Sequence, residues 1–360
     1  MSPDATFWSG RSVLITGHTG FKGGWLAIWL RGLGAHVHGF ALEPPTIPNL
    51  FEAARVGSIL DSDTRADLAD VSCLISVIER TEPDVIFHLA AQSIVLEGYR
   101  EPLRTLASNV IGTAHVLEAA RRTDSARALV LVTTDKVYET AESLRPFRES
   151  DPLGGRDPYS ASKAAAEIVA ASYRSSFFSA GRHPARVATA RAGNVIGGAD
   201  WASDRLVPDC LRAFESGIPV RLRHPNAVRP WQHVLEPLSG YVVLAERLVG
   251  VDGEQFASAW NFGPDVDSVA TVSEVAELTA RAWGGDARIE LAPDDANPPE
   301  AEHLTLDATR ARVDLQWRPR WSLVEAVEQT VSWHRAWRGG GDMLLASRSQ
   351  IEQYEAAEAS

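Results

Sequence analysis

Short apolar runs alternate with longer amphipathic stretches through the first half of this chain. The short runs have the length of buried strands and the longer stretches have helical spacing, so the pattern predicts strand and helix in repeated alternation. The predicted strands are residues 12–16, 37–42, 85–89, 129–133 and 186–190. The predicted helices are residues 24–33, 71–80, 103–122 and 159–175. This order is typical of an α/β fold with a doubly wound parallel sheet of the Rossmann type.

The pattern loosens in the second half, where prolines become frequent. We therefore expect residues 1–190 to form a Rossmann-type domain. Residues 191–340 are expected to form a smaller mixed α/β substrate lobe, interleaved with returns to the sheet. Residues 341–360 are predicted to be a polar C-terminal tail.

The first predicted strand ends in a glycine turn that opens a helix. Gly17, Gly20 and Gly23 follow the spacing Gly-x-x-Gly-x-x-Gly. Glycines at this spacing permit a tight turn, close approach of backbone amides to a pyrophosphate, and close packing of helix on strand. Three glycines at a strand end can also form nothing more than a tight turn. The motif favours a dinucleotide site but does not establish it alone.

A tyrosine and a lysine supply the second chemical signal. Tyr159 and Lys163 are four residues apart and share one helix face, where the ammonium lowers the pKa of the phenol and makes it a usable base. Such a pair is common by chance on exposed helices. Here it follows Thr134, Asp135 and Lys136 at the end of a predicted strand, where open α/β sheets bind ligands. The order of these motifs predicts an enzyme.

Composition excludes several classes of partner. The formal net charge of the 360 residues is −12, which opposes contact with nucleic acid and with anionic membranes. Cys73 and Cys210 form no Cys-x-x-Cys pair, so neither a disulfide framework nor a zinc site is indicated. No basic and then apolar leader or membrane-spanning run is present. We expect a cytoplasmic protein without a metal.

These motifs resemble those of the extended short-chain dehydrogenase/reductase family, and within it the nucleotide-sugar 4,6-dehydratases. The likeness covers nearly the whole chain, and its most specific stretches are residues 17–25, 45–51, 191–201 and 229–237. The resemblance implies a redox-neutral cycle: NAD takes hydride from sugar C4, water leaves across C5 and C6, and the hydride returns to C6. The implied substrate is a nucleotide-diphosphate sugar, with CDP-glucose the first choice.

The resemblance also assigns tasks to the catalytic residues. Tyr159 would take the proton of the C4 hydroxyl, Lys163 would hold the ribose and tune Tyr159, and Thr134 would hydrogen-bond the reacting oxygen. Asp135 would be the acid for the departing C6 hydroxyl. Lys136 is the candidate base at C5, where many sugar dehydratases carry a glutamate. A lysine base requires a lowered pKa, which an ionised Asp135 beside it would oppose.

By the same resemblance, further residues would bind ligands. The cofactor-binding residues would be Gly17, Thr19, Gly20, Phe21, Lys22, Gly23, Asp67, Leu68, Leu89, Ala90, Ala91, Gln92, Asn109, Tyr159 and Lys163. Substrate would contact Asn194, Arg205 and Arg229, and the Arg229 guanidinium suits a diphosphate. The residues leave NAD and NADP open, and the resemblance favours NAD. The family often dimerises through two helices, here 103–122 and 159–175.

The chain departs from these relatives beside the expected substrate. After Gln92 they usually continue Pro-Leu-Val-Arg, whereas this chain has a serine at 93, Leu96 in place of the arginine, and then Glu97. The nucleotide base and the sugar of the substrate therefore stay open.

An epimerase or ketoreductase of the same fold is the alternative function, since it would use Tyr159 without Asp135. A module that only senses NAD or a nucleotide sugar is the third possibility, although binding alone does not require Tyr159 and Lys163.

Overall fold

The computed structural model describes residues 2–139, 145–179, 181–265, 268–291 and 303–358. Its centre is a seven-stranded sheet in the order β3-β2-β1-β4-β5-β6-β11, and every neighbouring pair is parallel. The strands of this sheet are β1 Ser12–Thr16, β2 His36–Ala41, β3 Ser62–Arg65, β4 Val85–His88, β5 Ala128–Val132, β6 Arg186–Ala192 and β11 Ala259–Phe262. The predicted doubly wound fold is confirmed.

Helices cover both faces of the sheet. They are α1 Ala5–Trp8, α2 Phe21–Gly32, α3 Leu50–Ala53, α4 Val71–Thr81, α5 Val95–Arg100, α6 Pro102–Leu106, α7 Gly112–Arg121, α8 Pro158–Ser176 and α10 Leu235–Val249. Alternate residues of β1 point to opposite faces, so Val13 and Ile15 pack into one apolar cluster and Leu14 into the other. The continuous apolar run of β1 is therefore buried on both sides.

The sequence analysis did not predict two strands of the sheet, and it did not predict a break in one helix. Ser62–Arg65 contains no apolar residue, so it gave no strand signal, and Ala259–Phe262 lies in the proline-rich half. The helix predicted over 103–122 is interrupted by a π-helical turn at Ala107–Ile111 between α6 and α7. This turn lies beside the carboxyl end of the sheet and positions Asn109.

The smaller lobe is built from helices and two-stranded ladders. Its helices are α9 Leu206–Glu215, α11 Val272–Trp283, α12 Thr309–Asp314 and α13 Leu323–Arg338. Its short strands pair as β7 Val195–Ile196 with β10 Gln232–His233, β8 Val220–Leu222 with β13 Ile289–Leu291, and β9 Val228–Pro230 with β12 Val269–Thr271. A separate apolar cluster that includes Val207, Val275 and Val327 holds α9, α11 and α13 together.

The end of the chain is not a loose polar tail. Met343–Ala356 forms a helix, α14, which Asp342 caps through its side chain. Met343, Ile351 and Tyr354 are buried in the main apolar cluster. The sequence missed this helix because polar residues occupy part of its buried face. Within the described residues, no helix has both the length and the apolar character needed to cross a membrane.

Candidate active site

One cavity of about 880 Å³ lies at the carboxyl ends of the sheet strands, between the sheet and the smaller lobe. Every residue that the sequence predicted for cofactor, catalysis or substrate lines it, except Asn109. The loops that follow parallel strands emerge at the same edge of the sheet, which is why residues distant in sequence meet there.

The glycine turn has the shape that a pyrophosphate requires. Gly17 has φ of +80°, and a Cβ at this position would lie 2.6 Å from the Ala90 nitrogen. Gly20 is the N-cap of α2 and provides no side-chain bond to the first-turn amides. A Cβ at Gly23 would collide with the Gly17 carbonyl. The exposed amides at this helix N-terminus fit a dinucleotide phosphate.

The ends of β2 and β3 carry charges that the sequence reasoning missed. Arg65 donates hydrogen bonds to Asp63 at 2.8 and 3.0 Å and to Glu43 at 3.1 Å. His18, in the glycine turn, bonds Asp63 at 2.8 Å. Arg65 is therefore paired with two carboxylates at this edge. No signal in the sequence pointed to Asp63 or Arg65, because β3 has no apolar pattern.

Asn109 lies behind the cavity wall and does not line it. Its amide nitrogen donates to the Gln92 carbonyl at 2.9 Å and to the Ser162 hydroxyl at 2.8 Å, and its oxygen accepts from the Gln92 nitrogen at 2.9 Å. The Ser162 hydroxyl in turn donates to the Tyr159 carbonyl at 2.7 Å. Asn109 thus ties the loop after β4 to the helix that carries Tyr159.

Tyr159 and Lys163 lie on the cavity face of α8, and both are buried. The Lys163 ammonium donates to the Val132 carbonyl at 3.1 Å. Burial lowers the pKa of Lys163 to about 8. Burial also has the largest effect on Tyr159 and raises its pKa to about 12, while the Thr134 hydroxyl and Arg205 act in the opposite direction. The expected lowering of the Tyr159 pKa by Lys163 is not found, because burial outweighs the groups that lower this pKa and Lys163 is not one of them.

Asp135 is a buried carboxylate at the cavity wall, 1% exposed. Its Oδ1 accepts from the Thr134 hydroxyl at 2.9 Å. Its Oδ2 is buried and has no hydrogen-bond partner among the described residues. Lys136 follows on the same wall and is half-buried. A buried carboxylate oxygen without a partner is uncommon in folded proteins, and here it lies on a residue of the cavity wall.

Several cations line the cavity, together with carboxylates such as Asp67 and Asp200. Burial, together with the nearby Arg205 and Lys163, lowers the pKa of Lys22 to about 7. Arg205 donates to Asp200 at 2.9 Å and to the Ser93 hydroxyl at 3.3 Å, which brings a cation to the segment where Leu96 stands. Arg229 is buried at the same cavity. This lining attracts an anionic ligand such as a diphosphate.

The fold and this cavity define a Rossmann-type protein with a large site at the carboxyl ends of its strands. The family model for GDP-mannose 4,6 dehydratase matches residues 14–330, so the chain belongs to that family. A curated CDP-glucose 4,6-dehydratase from Salmonella typhimurium is 45% identical over 357 residues, covering 98% of this chain and 99% of the relative. A GDP-mannose 4,6-dehydratase from Yersinia enterocolitica is 24% identical over 89% of this chain and 93% of its own length.

Solved structures share the fold at lower identity. The dTDP-glucose 4,6-dehydratase from Bacillus anthracis in complex with NAD has a TM-score of 0.75 and 23% identity, over 93% of this chain and 100% of that one. The UDP-glucuronic acid 4-epimerase from Bacillus cereus in complex with UDP-glucuronic acid and NAD has a TM-score of 0.77 and 19% identity, over 89% and 98%. Dehydratases and epimerases thus share this architecture, and the site residues must distinguish them.

Proposed function

We propose that this protein is an NAD-dependent nucleotide-sugar 4,6-dehydratase whose substrate is CDP-glucose. The observation that carries the proposal is the buried Asp135 carboxylate, which places an acid beside Thr134 and Tyr159 in one cavity. An epimerase or a ketoreductase needs Tyr159 but has no leaving hydroxyl to protonate. The 45% identity with the Salmonella CDP-glucose enzyme over almost the whole chain supports the choice of substrate.

The glycine turn and the edge beside it fit NAD. When bound, the nicotinamide accepts hydride from sugar C4 and later returns it to C6. The backbone amides after Gly17 would bind the pyrophosphate, and Lys163 would hold the ribose next to the nicotinamide. Arg65 is paired with Asp63 and Glu43, so this edge favours an uncharged ribose hydroxyl over a 2′-phosphate.

Each catalytic side chain then has one proton to move. Tyr159 takes the proton of the C4 hydroxyl, with Thr134 hydrogen-bonded to the same oxygen. The ketone formed at C4 acidifies the C5 proton, and Lys136 is the proposed acceptor of that proton. Asp135 donates a proton to the C6 hydroxyl, which leaves as water. Lys136 then returns a proton to C5 as the hydride reaches C6. Tyr159 releases to solvent the proton that it took from C4, Asp135 takes one up, and the net change is the loss of one water.

The cations of the smaller lobe would hold the diphosphate. Arg229, Arg205 and Asn194 line the same cavity as the glycine turn and the catalytic segment. A guanidinium forms paired hydrogen bonds with phosphate oxygens, so these arginines can fix the sugar's distance from Tyr159. The proposal places the enzyme in the cytoplasm and includes no nucleic-acid or membrane partner.

The decisive experiment is incubation of the purified protein with CDP-glucose in deuterated water, followed by mass spectrometry and NMR of the sugar. The proposal expects loss of water, a methyl group at C6 and deuterium at C5, without net formation of reduced cofactor. Inversion at C4 without loss of water would instead establish an epimerase. An unchanged sugar would refute CDP-glucose as substrate, and the same assay with GDP-mannose, dTDP-glucose and UDP-glucose would follow.

We also propose that the chain forms a homodimer through α6, α7 and α8. Large apolar side chains remain exposed in this region: Leu103 on α6, Ile111 on the π-helical turn, Ile168 on α8 and Phe177 just after α8. Ile168→Glu, at a side chain 59% exposed, should shift the protein to monomer in analytical ultracentrifugation. Leu345→Glu on α14, where the side chain is 67% exposed, is the matched control and should not. Unchanged sedimentation of Ile168→Glu would refute this interface.

A further inference from the structure

One buried carboxylate on the catalytic helix has no task in the proposed chemistry. Glu167 lies one turn beyond Lys163 on α8, just as Lys163 lies one turn beyond Tyr159, so the three side chains share one face. Glu167 is only 4% exposed. A buried carboxylate is unfavourable unless a charge and hydrogen bonds compensate it, so its partners show what it holds in place.

The two oxygens of Glu167 accept four hydrogen bonds. Oε1 accepts from the Thr133 hydroxyl at 2.6 Å and from Arg191 Nε at 2.9 Å. Oε2 accepts from the Thr189 hydroxyl at 2.6 Å and from Arg191 Nη2 at 3.0 Å. Burial alone would raise the pKa of Glu167, but the Arg191 guanidinium and the two hydroxyls bring it below its usual value. The pair is therefore ionised and fully hydrogen-bonded.

This ion pair anchors both ends of the segment that carries the acid and the base. Thr133 immediately precedes residues 134–136. On the other side of the segment, the Tyr138 hydroxyl accepts from Arg191 Nη1 at 2.8 Å and donates to the Asn261 side chain at 2.5 Å. Asp135–Val137 forms a short 3₁₀ turn between these two anchors. A shift of Arg191 or of its carboxylate partner would move both ends of the turn.

We propose that Glu167 and Arg191 are positioning residues. Their buried ion pair holds residues 134–136 in the position that brings them next to Tyr159 and Lys163 in the cavity. The inference rests on the proposed function, since it assigns a purpose to the position of the acid and the base. A general stabilising role would affect only the stability of the fold, whereas a positioning role makes activity depend on the particular hydrogen bonds that hold residues 134–136.

Glu167 also acts on Lys163 electrostatically. Among the described residues, the titratable groups that interact with the Lys163 ammonium are Glu167 on α8, Lys22 on α2 and His88 on β4. Burial lowers the pKa of Lys163, and the charge of Glu167 raises it. Removing that charge should therefore deprotonate Lys163 at lower pH.

Two threonines offer a matched test. Thr133→Val and Thr189→Val each remove one buried 2.6 Å hydrogen bond to Glu167 and keep the branched shape of the side chain. Thr133 adjoins the catalytic segment, whereas Thr189 lies within β6. We expect kcat to fall about tenfold in Thr133→Val and less than about threefold in Thr189→Val, at similar losses in Tm. Equal losses of kcat in the two variants would overturn the positioning role.

Glu167→Gln tests the electrostatic part. The alkaline limb of the pH profile of kcat should move to lower pH in this variant, because Lys163 loses the charge that keeps it protonated. An unmoved limb would overturn this part. If Glu167→Gln does not fold, the alkaline limb is measured in Arg191→Lys instead. This variant retains Glu167, so its alkaline limb should stay close to the wild-type position. An alkaline limb displaced to lower pH in Arg191→Lys would contradict the assignment to Glu167.

A measurement without substrate separates this inference from the proposed function. If the wild-type protein does not convert CDP-glucose, that failure refutes the proposed substrate only. Hydrogen exchange of the backbone amides of residues 134–138, followed by mass spectrometry, still compares the two threonine variants. Faster exchange in Thr133→Val than in Thr189→Val supports the positioning role, and equal exchange refutes it.

Discussion

Gly193 packs directly against the carboxylate of Asp135, so closely that a Cβ at position 193 would overlap the Asp135 Oδ2 atom. We predict that Gly193→Ala displaces the Asp135 side chain and lowers kcat about 100-fold, because a displacement of about 1 Å is enough to disrupt proton transfer. Turnover of CDP-glucose by the purified variant provides the measurement.

Gly32→Ala is the control for this substitution. Gly32 lies at the end of α2, and nothing stands within 4 Å of a Cβ built there. Alanine in a helix is more favourable than glycine, so this variant should retain full activity with equal or greater stability. Wild-type activity of Gly193→Ala would show that Asp135 does not need its present position.

Asp135→Asn should separate oxidation from elimination. The amide occupies the same space but cannot donate a proton to the C6 hydroxyl as a carboxylic acid does, so we expect elimination to slow about 100-fold or more. Oxidation at C4 depends on Tyr159 and should continue. The absorbance of reduced nicotinamide should therefore build up when substrate is mixed with the variant.

Tyr159→Phe gives the contrasting result. Without the phenol no proton leaves the C4 hydroxyl, so no reduced nicotinamide should appear in a single turnover. If the Asp135→Asn variant also formed no reduced nicotinamide while still binding CDP-glucose, the assignment of Asp135 to the elimination step would be wrong.

Lys163 is expected to lower the free energy of unfolding, compared with an apolar side chain at this position, while it supports activity. Burial lowers the pKa of its ammonium to about 8, whereas the unfolded chain retains the proton to higher pH. At neutral pH folding must therefore bury a charge, at a cost of about 3 kcal/mol from the size of this shift. Lys163→Met should raise the free energy of unfolding at pH 7 by about 2 kcal/mol, after loss of the hydrogen bond to Val132.

The same pKa predicts the pH dependence of activity. As pH rises through about 8, Lys163 loses its charge, so kcat should fall if the ammonium is the active form. Urea unfolding and kcat across pH 6 to 9 check both statements. A Lys163→Met variant less stable than wild type at pH 7 would show that the ammonium is stabilised in the fold.

Some of this site could be predicted from sequence because its signals are local. The apolar run of β1 leads into the glycines, and the spacing of Tyr159 and Lys163 defines a helix face. The rule that ligands bind at the carboxyl ends of parallel strands then brings these motifs together. None of these arguments requires a tertiary contact.

The remaining features depend on contacts between distant residues. Glu167 and Arg191 are ordinary charges in the sequence and become an ion pair only when α8 packs on β6. The strand Ser62–Arg65 lies at the sheet edge, without the apolar pattern that identifies β1. Asn109 lies in a π-helical turn, which no spacing signal predicts.

Glu236, which is not among the cavity-lining residues, is expected to make the free energy of unfolding depend on pH. Burial raises the pKa of Glu236 to about 7. The carboxyl accepts from the Tyr354 hydroxyl at 2.7 Å and from the Trp321 nitrogen at 2.8 Å, and so connects α10 to the C-terminal helix. Because the folded pKa lies above the unfolded one, this contribution to stability is present at low pH and is lost as pH rises through about 7.

Glu236→Gln removes the titration and preserves the contacts, because the amide oxygen can accept from Trp321 while Tyr354 turns to accept from the amide nitrogen. Between pH 5 and 8 the wild-type protein should therefore lose about 3 kcal/mol more of its free energy of unfolding than the variant does. Urea titrations across this range measure the difference, with the exposed Glu328→Gln on α13 as a control that should follow the wild type. Parallel curves for wild type and Glu236→Gln would mean that Glu236 stays ionised in the fold, with Arg320 and the backbone amides outweighing its burial.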